Sequence, residues 1–80
     1  MKIVEAVSKR TRALLIEKNK TQYGIEKTMG IPHKTLTNIM TAKNNAANIK
    51  TVFQICKGLD VSVGEFFTDP IFESEELDID

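Results

Sequence analysis

Cysteine is nearly missing from this chain: Cys56 stands alone, so no internal disulfide can form. His33 is equally solitary, and one cysteine with one histidine falls short of a structural metal site. No apolar run approaches the roughly eighteen residues needed to span a bilayer, so no membrane partner is expected. The opening MKIVEAVSKRTR lacks the apolar segment and small-residue cleavage site of a secretory signal, which sets a cytoplasmic expectation. No nucleophile has a base in view, no glycine-rich phosphate loop occurs, and no pair of acids in the body suggests a cleft. Neither an enzyme nor a cofactor is therefore expected. No internal repeat is visible, and nothing in residues 1–67 alternates with period two over a useful length.

What is present fits one small globular domain. Hydrophobic residues make up 41% of the eighty and charged residues 28%, enough for one core built from few elements. The formal net charge of zero hides a partition. Residues 1–64 hold every Lys and Arg and sum to +7, while residues 65–80 hold no base and sum to −7. A basic body thus precedes an acidic tail.

Helical spacing dominates the body. Ile3, Val4, Ala6, Val7, Leu14 and Leu15 form a stripe over about residues 3 to 18, with Asn19 suited to its end and Thr21 to the next start. Ile25 and Met29 mark a second, short helix that stops at Gly30, a natural left-handed terminator. Ile31-Pro32 restarts the chain, with Pro32 in the first turn, and Leu36, Ile39 and Met40 bury one side of a third helix. TAKNNAAN reads as a loop. Asn48 then caps a fourth helix whose expected buried set is Ile49, Val52, Phe53, Ile55, Cys56 and Leu59. Ser62 and Glu65 have capping-box spacing, so a fifth, short helix should bury Phe66 or Phe67. The expected class is all-α, a compact five-helix domain over 1–67 with an acidic C-terminal tail over 68–80. Asp69-Pro70 breaks the body. Beyond it, Ile71, Phe72, Leu77 and Ile79 are interspersed with acids, either as a frayed solubilising tail or with Ile71 and Phe72 docked on this or a second chain.

Helices 2 and 3, joined by a short glycine-containing turn, match a helix-turn-helix, a motif whose second member enters a DNA groove. The outward side of helix 3 carries His33, Lys34, Thr37, Asn38 and Thr41, all able to donate a hydrogen bond and none acidic. Lys34 can bond guanine O6 and N7, Asn38 can pair with adenine N6 and N7, and the Thr35 methyl can touch a thymine methyl. His33, as a neutral ring, can donate or accept. Lys43, Asn44 and Asn45 follow the helix as candidate phosphate contacts, and Thr37 and Thr41 suit either set. Thr21 and Gln22 have two uses, as caps of helix 2 and as groups beside its partly positive end, where a phosphate is favoured.

Taken in order, these residues resemble the Cro/repressor-type (xenobiotic-response-element, lambda-repressor-like) helix-turn-helix family over about residues 7 to 67. Thr21, Gln22, Ile25 and Gly30 match its second helix; Ile31, Pro32, Thr35, Leu36, Thr37, Asn38 and Ile39 match its turn and recognition helix. LDVSVGEFF matches its closing segment. The resemblance implies base readout by His33, Lys34, Thr35 and Asn38, and a backbone contact by Gln22. It departs at four places: Leu15 and Met40 replace an Arg and a Glu that pair in many members, Glu26 replaces a small Ala, and Ala42 replaces a Gly. Leu15 and Met40 change together, as expected when an apolar pair substitutes for a buried ion pair.

The function expected from this reading is a sequence-specific, double-stranded DNA-binding transcriptional regulator of bacterial or phage type, acting as a homodimer at least on DNA. The alternative is a protein-interaction module on the same scaffold, such as an antitoxin or anti-repressor that meets a protein partner through its acidic tail.

Overall fold

In a computed structural model, which describes residues 1–43, 48–73 and 77, the apolar stripes become five α-helices. These are α1 (Ile3–Glu17), α2 (Gln22–Met29), α3 (His33–Met40), α4 (Ile49–Leu59) and α5 (Val63–Phe67), followed by a 3-10 turn at Pro70–Glu73. No strand occurs among the described residues, which are all-α in class.

Local chemistry sets the boundaries. The side chains of Thr21, Asn48 and Ser62 accept from the backbone N–H of Gly24, Thr51 and Glu65, so each of α2, α4 and α5 begins with a satisfied donor. Pro32 lies one place earlier than expected, as the residue preceding α3, where its missing N–H still costs nothing. The first four helices share one ending: Asn19, Gly30, Ala42 and Asp60 each adopt a positive φ between 54° and 67°. The following residue then bonds back into the last turn, as in Ile31 N–H to Glu26 O and Lys43 N–H to Asn38 O. Ile31 and Val61 come next after two of these stops, and both are buried.

The core gathers Val7, Leu14, Ile25, Leu36, Ile39, Val52, Ile55, Leu59 and Phe66, with Cys56 among them as a small hydrophobe. Each such aliphatic or aromatic side chain contributes roughly 1.5–3 kcal/mol by leaving water. Burial also pushes the Cys56 thiol upward, away from the reactive thiolate. α3 packs on α1 and α2, and α4 on α2. The α2–α4 contact is close because Gly58 has no side chain: a Cβ there would lie 3.0 Å from Ile25 Cγ2 and 3.1 Å from Met29 Cγ.

Polar bonds reinforce α1. Ser8 Oγ and Arg12 donate to the carbonyl of Met40 at 2.6 and 2.7 Å, fixing the C-terminal end of α3. Arg10 donates through Nε to Phe66 O at 2.8 Å and through a terminal nitrogen to Glu65 O at 2.9 Å, and it pairs with Asp69 at 3.3 Å. The planar guanidinium thus ties α1 to the end of α5. Pro70–Glu73, which the sequence places in the tail, returns to the body. Phe72 packs with its tilted ring centred 4.8 Å from Phe67 and 5.9 Å from Phe66, while Phe66 itself is fully buried.

One part of the expected buried set is wrong. Ile49 is 75% exposed and Phe53 47% exposed, whereas Val52, Ile55, Cys56 and Leu59 are buried as expected. Ile49 and Phe53 share a side of α4 that no described element covers. With Ile3, Val63 and Phe67 they line a shallow apolar hollow at the surface.

Candidate nucleic-acid interface

Three residues, Gly30 to Pro32, separate α2 from α3, and the left-handed Gly30 lets the chain turn sharply between them. Leu36, Ile39 and Met40 anchor α3 in the core, so its orientation is set by packing on three positions. The opposite side faces solvent. His33, Lys34 and Thr41 are exposed, and Thr35, Thr37 and Asn38 are half-buried. No described residue hydrogen-bonds the side chains of Lys34 or Asn38. Thr41 donates to the Thr37 carbonyl at 2.8 Å, and Lys43 is exposed just beyond the helix end. Asn44 and Asn45 lie outside the described residues.

At the N-terminal end of α3 the side chains form a closed polar set that the sequence reading missed. Glu26, only 8% exposed, accepts from Gln22 Nε2 at 2.9 Å and lies 2.8 Å from His33 Nδ1. The same Gln22 nitrogen donates to Thr37 Oγ1 at 3.0 Å, and that hydroxyl lies 3.4 Å from His33 Nε2. His33 therefore has an acid partner in Glu26. The signal was the carboxylate at position 26, where the resembling family carries a small residue. The Gln22 amide, foremost, and then the hydrogen bond and charge of His33 and the charge of Lys27 hold the Glu26 carboxyl below its usual 4.5, against the opposing effect of burial.

These bonds have consequences for the expected phosphate contacts. Thr21 uses its hydroxyl oxygen to cap α2. Gln22 has its amide nitrogen engaged inside the protein, which leaves Oε1 as the unengaged end of the side chain. Of the first α2 turn, Gly24 N–H is taken by Thr21, which leaves the N–H groups of Gln22 and Tyr23 as donors without a helical acceptor. Tyr23 is 65% exposed, and Lys27 Nζ lies 5.4 Å from its ring centroid. Leu15 and Met40 line one hollow with Arg12 and Gln22, where α1 passes the end of α3.

No family model, curated protein or solved structure matches the chain.

Proposed function

We propose that this chain is a sequence-specific double-stranded DNA-binding transcriptional regulator, a repressor of bacterial or phage type, built on a lambda-repressor-like helix-turn-helix of α2 and α3. The observation that carries this reading is the solvent face of α3. It combines His33, Lys34, Thr35, Asn38 and Thr41 on a helix anchored at both ends, and the neighbouring acid, Glu26, is turned inward. A helix seated in the major groove needs a face that tolerates phosphates and meets base edges. In this reading Lys34 and Asn38 read bases, His33 and Thr35 complete the readout, and the first turn of α2 with Thr41 and Lys43 meets the backbone.

One short helix reads few bases, so two copies on a two-fold operator are the expected arrangement, with half-sites about 10 base pairs apart. The surface for the second copy is the apolar strip of Ile3, Ile49, Phe53 and Phe67. That strip also supports the second reading, in which a different protein covers it. The test is repeated selection from random duplex pools at about 150 mM salt, where nonspecific phosphate attraction is largely screened. Enrichment of a two-fold motif is expected. Folded protein that enriches nothing would transfer the reading to a protein-interaction module.

A further inference from the structure

We infer that Glu26 selects the tautomer of His33, so that ring atom Nε2 is the one offered to a base and the proton on it decides which base is accepted. This rests on the regulator reading above and assigns a specificity mechanism to its first readout position. The argument begins with the hydrogen-bond directions. An ionised carboxylate only accepts, so the 2.8 Å contact with Glu26 Oε2 requires a proton on His33 Nδ1. In the neutral ring Nε2 is then an acceptor. Gln22 Nε2 donates to both Glu26 and Thr37 Oγ1, and the Thr37 hydroxyl lies 3.4 Å from Nε2, a long contact that a base edge approaching Nε2 displaces.

The His33 side chain is 78% exposed although its Nδ1 is held, so the outward part of the ring is accessible. The titratable groups around it are Glu26, Lys27 and Tyr23 of α2, which line the same hollow, and Lys34 beside it on α3. Among these only Glu26 is hydrogen-bonded to the ring. Neutral His33 thus presents an acceptor, which suits adenine N6–H or cytosine N4–H. Protonated His33 presents a donor, which suits guanine O6 or N7.

The chain has a single histidine, so a nitrogen-15 spectrum of the uniformly labelled protein reads this ring without ambiguity. At about pH 8.5, without DNA, the expected result is a protonated Nδ1 and a bare Nε2, with loss of that preference in Glu26→Ala. A protonated Nε2 in the neutral wild-type ring overturns the inference. Selections on the wild type at two pH values, one at which the nitrogen-15 spectrum shows a neutral ring and a lower one at which it shows a protonated ring, provide the second arm. One operator position is expected to move about tenfold toward guanine at the lower pH, the order of one charge-assisted hydrogen bond, and to stay fixed in His33→Gln. Enrichment of one motif with the same bases at both pH values overturns the proton-dependent base choice and leaves the regulator reading standing. No enrichment at either pH overturns the regulator reading and, with it, any groove role for His33.

Discussion

The outer faces of α3 and α4 differ in kind, although both helices bury one side in the same core. The α3 face is polar, with donors at His33, Lys34 and Thr41. The α4 face carries Ile49 and Phe53 into solvent at 75% and 47% exposure. Neither face is explained by the stability of a single chain. An exposed lysine and a half-buried asparagine without a hydrogen-bond partner among the described residues add little to folding, and a contiguous apolar patch is a liability unless something covers it. The contrast teaches that one small fold can separate a surface suited to a polyanion from one suited to an apolar partner.

The comparison breaks most visibly at Phe53. If the α4 face joins two copies, Phe53→Asp should produce a monomer by sedimentation and weaken operator binding by roughly 10²–10⁴-fold, the advantage of binding two half-sites at once. Its folding stability should hold or rise, and a wild type that is already monomeric on its operator would remove the α4 face from the account. On the α3 face, Lys34→Ala and Asn38→Ala should each cost about 1–3 kcal/mol of operator affinity, measured by competition, with relaxed specificity and an unchanged Tm.

Substitutions beneath the two faces sharpen the contrast. Gly58→Ala presses a methyl group onto Ile25 and Met29 and should destabilise the fold by about 1–3 kcal/mol in urea unfolding. Ala42→Gly relieves a φ of 54° just after α3 and should stabilise by about 0.5–1 kcal/mol, the left-handed cost to alanine less the entropy cost of glycine. The smallest effect concerns acid. Glu26 is held below its usual value, so its stabilising contribution is present above about pH 4.5 and fades as the pH falls through the lower folded-state value. The stability difference between wild type and Glu26→Gln should therefore shrink in that acid window, and a difference that grows there would contradict the placement of the carboxylate.

Much of the fold was legible because its signals are local. Thr21, Asn48 and Ser62 cap the helices they precede, and Asn19 and Gly30 end theirs in left-handed conformations. The turn after α3 persists with Ala42 where glycine was missing, because the bonds from Ala42 N–H to Ile39 O and Lys43 N–H to Asn38 O hold it closed. Ile49 and Phe53 were misplaced because α4 is apolar over too wide an arc for periodicity to say where burial ends. The ties from Ser8, Arg10 and Arg12 were not legible, since their acceptors are backbone carbonyls that every residue possesses. Glu26 and His33 escaped for a different reason: seven positions and a turn separate them, so neither helix's pattern brings them together.

The central claim is that the outward side of α3 selects a DNA sequence. It is tested most directly by parallel selections from one random duplex pool, with wild type beside Asn38→Ala at about 150 mM salt. The account predicts a two-fold motif for the wild type and the same motif with one base position relaxed in each half-site for the variant. Identical motifs from both proteins would contradict the assignment of Asn38, and the absence of any wild-type motif would contradict the claim itself.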